Sequence, residues 1–163
     1  MNEIIKMTDI VKTFGEVQAI KNGNFNLFEG EIHSLIGENG AGKSTMMKLL
    51  YGMYSIDSGE IEIYNKKIID YNTKEAINLG IGMVHQEFML VDEMTVLENI
   101  ILGFEPRESF DKIDFGKARK KISEYVETYK LDIQINKKIQ DISVGEAQRV
   151  EIIKTLYRGA NIL

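Results

Sequence analysis

The chain has 163 residues, 44% of them hydrophobic and 28% charged, with a formal net charge of −5. That length suits about one domain burying roughly 70% of its unfolded surface, and the composition is too apolar for a disordered segment. The acidic balance, without a Lys/Arg block that could form a basic stripe, argues against nucleic acid as a partner; the absence of cysteine excludes disulfides and thiolate metal sites, and two isolated histidines make no metal site either.

The first residues, MNEIIKMTDI, are acidic and polar where a secretory signal needs a basic and then an apolar segment. No apolar run approaches the ~18 residues of a membrane span, so this chain is expected neither to enter nor to cross a membrane. Strand-type runs are expected at 4–12, 25–28, 31–36, 59–64 and 81–84, with helical patterns at 43–51 and 73–79. The polar stretch 103–112 holds the only proline, Pro106, and reads as a long loop. Beyond it, Phe115, Ala118, Ile122, Tyr125, Val126 and Tyr129 fall on one face of a helix. A second helix is expected over Val144–Tyr157, its inner face marked by Ala147, Val150, Ile153 and Tyr157. Strands mixed with crossover helices indicate an α/β core with a helical subdomain added to it.

Gly37-Glu38-Asn39-Gly40-Ala41-Gly42-Lys43-Ser44 matches the phosphate-binding pattern G-x4-G-K-[ST], with the expected strand IHSLI before it and the expected helix KSTMMKLL after it. Glycines let successive backbone N–H groups, including those of Asn39, Gly40 and Ala41, point at an anion that a Cβ would obstruct. The helix N-terminus adds its partial positive charge. Lys43 would reach the β- and γ-phosphates, the Ser44 hydroxyl would take a place on Mg²⁺, and Thr45 would add a hydroxyl to a phosphate. The alternative is a glycine-rich strand-to-helix turn with no ligand, which leaves the Lys-Ser pair unexplained.

Four features in this order, Phe14, the P-loop, Gln86 in GMVHQEF and ISVGEAQRV at 142–150, resemble the ATP-binding subunit of ABC transporters over the whole chain. The resemblance implies an ABC-type α/β P-loop core with an N-terminal antiparallel β subdomain and a helical subdomain. It places the ATP-binding core at 1–85, the Gln86 loop and helical subdomain at 86–143, and the signature helix with the start of the Walker B strand at 144–163. Phe14 sits where an aromatic stacks on adenine; as a residue at a strand end it is equally a core phenylalanine. Gln86 matches the glutamine that touches Mg²⁺ and the attacking water and begins the segment facing the membrane partner. The run 142–150 is similar to the signature LSGGQ, which caps the γ-phosphate held by the opposing subunit of a head-to-tail sandwich. Ser143 and Gly145 match, whereas Ile142, Val144 and Glu146 depart from it. Ser143-x-x-Glu146 is also a capping box, as is Thr95-x-x-Glu98. His33, inside an expected strand, and His85 are read as structural.

Phe88 to Glu93, FMLVDE, has the shape of a Walker B strand with Asp92 and Glu93 as its carboxylates. The expected strand 81–84 ends only three residues earlier, leaving no crossover helix to bring a second parallel strand into place. In the family Walker B follows the signature helix, so it is expected to begin at 161–163, with its carboxylates beyond Leu163. The residues present would then bind nucleotide weakly, without turnover. The signature followed by YRGANIL resembles the first half of tandem ATPases for import of simple sugars or nucleosides. That implies permease subunits, a second nucleotide-binding domain, indirectly an extracytoplasmic solute-binding protein, and a peripheral place on the cytoplasmic face of the membrane. The rivals are an ABC-type ATPase acting on ribosomes or DNA ends and a small P-loop kinase using Asp92. A GTPase is disfavoured, because neither Asn65-Lys66 nor Asn136-Lys137 is followed, two residues on, by the required aspartate.

Overall fold

Alternation organises the first strand. In β1 (Glu3–Phe14), Ile5 and Met7 turn inward and the Lys6 between them stays in water. The computed structural model describes residues 2–69 and 71–163, and of Phe110 only the backbone. β1 lies between β2 (Val17–Phe28) and β3 (Ser58–Ile63), antiparallel to both, with the short β4 (Lys66–Lys67) beyond β3. Ile5 stands opposite Ile63 and Met7 opposite Ile61, and all four side chains are buried. Such directly opposed apolar pairs stabilise a sheet. At Asp9, with φ 50°, the register with β2 shifts, which brings Ile10 back to the buried side despite its odd spacing from Met7. Gly59 crosses this bulge at φ 102°, where a Cβ would come within 2.7 Å of the carbonyl oxygens of Thr8 and Asp9. α1 (Lys43–Leu50) buries Met46, Leu49 and Leu50. α2 (Thr73–Asn78) starts at Asn72, whose side chain accepts from the N–H groups of Lys74 and Glu75.

The chain divides into two compact units after Leu79. The second is helical, built from α3 (Val96–Ile101), α4 (Phe115–Tyr129) and α5 (Val144–Tyr157), with single 3₁₀ turns at Ser109–Asp111 and Ile139–Asp141. Its core joins Val96, Leu97, Ile100 and Ile101 with Ala118, Ile122, Ile139, Val150, Ile153 and Tyr157. Thr95 and Ser143 each accept from the N3 backbone N–H, and the glutamates Glu98 and Glu146 accept from the N-cap N–H in return, so both expected capping boxes are present.

Several expected elements differ. Residues 31–36 form no strand: Ile32 and Ile36 are 96% and 93% exposed, and the run finds no pairing partner among the described residues. His33 therefore sits outside any strand, with Nδ1 3.0 Å from Glu31 Oε1 and its ring edge-on to Phe25. Residues 25–28 are only the end of twelve-residue β2. Residues 81–84 reduce to one parallel bridge, Ile81 to Ile162, with Gly82 N–H donating to the Ile162 carbonyl at 2.8 Å. On α4 the buried stripe is narrower than expected, since Phe115 and Tyr129 are exposed at its ends. The stretch 103–112 is a loop containing the first 3₁₀ turn.

Candidate nucleotide-binding site

The P-loop emerges from the backbone needs of its glycines. Gly42, at φ 82°, is the N-cap of α1, and a Cβ there would lie 2.7 Å from the Ala19 carbonyl oxygen on β2. No side chain caps this helix and its first turn holds no acidic residue. Its N-terminal amide groups therefore face outward with the positive end of the helix dipole, the arrangement that receives an anion. Residues 37–41 are exposed, Gly40 at φ 86°. Lys43 Nζ arches back over the loop and donates to the carbonyls of Gly37 and Glu38, 2.7 Å each. An ammonium has three donors, so one remains to meet a phosphate oxygen. The loop thus suits a polyphosphate in charge and in donor supply, and the Ser44 hydroxyl beside Lys43 is the hard oxygen donor that Mg²⁺ prefers.

Phe14, at the end of β1, is 41% exposed rather than a core residue. Its ring meets Tyr54 edge-on, centroids 5.1 Å apart, and Lys12 Nζ lies 5.4 Å from its centroid. Lys12 is tied in turn to Asp57 at 2.8 Å, and Asp57 also accepts from Thr13 N–H. The bond from Lys12, then that from Thr13, holds the Asp57 carboxyl below its ordinary pKa. Phe14 and the P-loop both belong to the first unit.

Gln86 and the 142–150 run belong to the second unit. Gln86 is exposed at a bend after the Ile81 bridge. Ser143 and Gly145 are exposed at the start of α5, with Val144 between them 75% exposed. Ser143 Oγ donates to Glu146 Oε2 at 2.8 Å, and Ser143 N–H donates to the same oxygen at 2.9 Å. These two bonds, the backbone one first, hold the Glu146 carboxyl below its ordinary pKa and occupy one of its oxygens on its own helix. A Cβ at Gly145 would meet only Arg149 Nη1, at 3.9 Å, so the packing of this chain gives no reason for glycine there.

Asp92 and Glu93 end no strand. They are exposed in a turn, and the residues before them are held by side chains instead of a sheet. Sequence reasoning missed those side chains, Asn99, Glu151 and Lys154, buried at 1%, 2% and 7% exposure. A signal existed: Glu151 and Lys154 lie in the same helical stripe as Ala147, Val150 and Tyr157, where a solvated charge does not belong. Among the described residues no group of three or more His, Cys, Asp or Glu is placed to hold a metal, and no helix is long and apolar enough to cross a membrane.

Residues 20–163 match the family model described as ABC transporter. The chain is 50% identical over all 163 residues to the guanosine import ATP-binding protein NupO of Bacillus subtilis strain 168, covering 32% of that protein. It is 51% identical over 160 residues to the nucleoside import ATP-binding protein NupA of Lactococcus lactis, and 40% identical over 163 residues to the ribose import ATP-binding protein RbsA of Caldanaerobacter subterraneus. These matches take in 98% and 100% of the chain and 31% and 33% of those proteins, so the chain spans about a third of the length of the curated relatives. Among solved structures, a nucleotide-free ATP-binding cassette from an ABC transporter superposes with a TM-score of 0.83 at 29% identity, covering 97% of this chain and 66% of that one. A dimeric bacterial ABC transporter cassette gives 0.79 at 33% identity, covering 96% and 71%.

Proposed function

This chain belongs to the ABC transporter family, and we propose that it is the ATP-binding and ATP-hydrolysing part of a subunit that powers import of a simple sugar or nucleoside. The observation that carries this reading is the P-loop on α1, an uncapped helix start with Lys43 arched across it, in a chain about half identical to guanosine and nucleoside import ATP-binding proteins. Backbone N–H groups of residues 37–42 cradle the β- and γ-phosphates, Lys43 offers its third proton, and Thr45 adds a hydroxyl. Phe14 offers its exposed ring to the adenine, braced from the side by Tyr54. Mg²⁺, when bound, neutralises charge on the phosphate oxygens; the Ser44 hydroxyl and Gln86 amide oxygen are the groups of this chain that would hold it.

Ser143, Gly145 and the amide groups opening α5 serve the γ-phosphate held by a second nucleotide-binding domain, arranged head to tail. With Glu146 turned onto its own cap, the helix start still meets that phosphate with N–H donors. Closure of the two domains, in-line attack of water and reopening then pass through the Gln86 segment to permease subunits at the cytoplasmic face of the membrane, with a solute-binding protein acting outside. Residues 1–163 by themselves are expected to bind nucleotide weakly without turnover, since among the described residues no strand ends in the Asp-Glu pair that such chemistry uses.

The test is uptake of labelled guanosine and ribose by cells carrying the native gene or its Lys43→Ala variant. Loss of uptake of one of them with the variant is expected. Unchanged uptake of both would reject an importer of either class.

A further inference from the structure

Residues 88–91 form no strand, yet alternate residues have both backbone polar groups paired as in a sheet. Met89 N–H donates to Glu151 Oε1 at 2.8 Å, and its carbonyl accepts from Lys154 Nζ at 2.5 Å. Val91 N–H donates to Asn99 Oδ1 at 2.7 Å, and its carbonyl accepts from Asn99 Nδ2 at 3.1 Å. In an extended chain residues i and i+2 present these groups on the same side. Side chains from α3 and α5 thus take the place of a neighbouring strand. Glu151 and Lys154 are 3.3 Å apart, one turn of α5, and almost fully buried. Burying charges is costly, and replacing a buried ion pair with apolar residues of similar size is often neutral or stabilising. Stability alone therefore gives a poor reason for this pair.

We propose that Glu151 and Lys154 are positioning residues that clamp the Met89 peptide, so that the segment carrying Gln86 moves with α5, the helix opened by Ser143 and Gly145. This rests on the nucleotide-handling roles assigned above to Gln86 and to the start of α5. Two contacts on the N–H and carbonyl of one residue fix both its position along the helix and its rotation about the chain. Met89 lies three residues after Gln86, and Glu151 lies about two turns, roughly 12 Å, along a rigid helix from its N-cap. Val91 is pinned to α3 instead, so a shift of α5 relative to α3 bears on the Met89 side, toward Gln86. A push on the start of α5 is delivered to Gln86 through one peptide.

The experiment uses the native protein assembled with its permease. Removing one member of the pair strands a buried charge and risks the fold, so the primary variant is the double substitution Glu151→Leu with Lys154→Met, which removes both charges and keeps the bulk. Its thermal midpoint is expected to stay level or rise. Amide exchange at Met89 should quicken about tenfold or more, and ATPase kcat should fall about tenfold with KM unchanged. Glu151→Gln alone, which keeps the acceptor oxygen for Met89 N–H, should retain most of kcat, with its fold checked by thermal midpoint because it leaves the Lys154 charge unpaired. A folded double variant with fast exchange at Met89 and full kcat overturns the proposal, as does a loss of kcat that Glu151→Gln shares in full. Lys43→Ala separates this failure from failure of the underlying reading: if that variant still binds MgATP normally, the nucleotide assignment itself is wrong.

Discussion

Among the described residues the Lys43 ammonium makes two hydrogen bonds, both to loop carbonyls. Replacing it should leave the fold intact and remove the one mobile charge aimed at phosphate. Lys43→Ala is expected to weaken MgATP binding at least about tenfold, 1.4 kcal/mol or more, with no fall in thermal midpoint. Gly145 allows a sharper separation of stability from function. Its Cβ site is open and its backbone helical, so Gly145→Ala should be neutral or stabilising by up to about 1 kcal/mol. Under the proposed role, the same methyl would crowd a phosphate presented by the second nucleotide-binding domain, so turnover in the assembled protein should drop; full turnover would remove Gly145 from the proposed signature. Asp92 supplies the converse control. It is exposed in a turn and ends no strand, so Asp92→Asn should leave turnover unchanged, and abolished turnover would restore it as a carboxylate of the site.

At the scale of elements, the two capping boxes carry a pH dependence with a defined sign. The bonds from Thr95, the hydroxyl first, lower the Glu98 carboxyl below its ordinary pKa, and those from Ser143 do the same to Glu146. A carboxyl with a depressed folded pKa adds stability that is complete above the ordinary value, about 4.3, and is lost as pH falls through the folded one. Acid titration of helicity should therefore show α3 and α5 weakening only below that range. Thr95→Ala should cost about 1 kcal/mol at neutral pH and blunt the acid step; an acid step unchanged by Thr95→Ala would rule out the box as its source. In the helical core, Ile122→Ala should cost about 2–5 kcal/mol by cavity formation in the cluster formed with Val150 and Ile153. The helices were legible because each pattern is local: Ser143 and Glu146 cap α5, and Ala147, Val150, Ile153 and Tyr157 mark its inner face. The run 31–36 has the composition of a strand, but a strand exists only where a partner pairs with it, and a sequence window contains no partner. The apolar run before Asp92 misleads for the same reason. Its backbone is satisfied by Asn99, eight residues on from Val91, and by Glu151 and Lys154, more than sixty residues from Met89, and that pairing only the fold reveals.

For the molecule as a whole, the P-loop and Phe14 lie in the first compact unit, and Gln86 and the start of α5 in the second. The P-loop pattern was legible in Gly37 to Ser44, and of the elements expected around it the helix α1 is present whereas the strand at 31–36 is not. Ser143 is explained within this chain by its capping box with Glu146, whereas Gly145 is an exposed glycine that its surroundings do not explain. The central claim is that residues 37–45 hold nucleotide phosphates, and its most direct measurement is a calorimetric titration of this 163-residue chain with MgATP, beside its Lys43→Ala variant. Saturable binding that the variant weakens at least about tenfold is the result expected. Equal binding by both, or none by the unaltered chain at any accessible concentration, would contradict it.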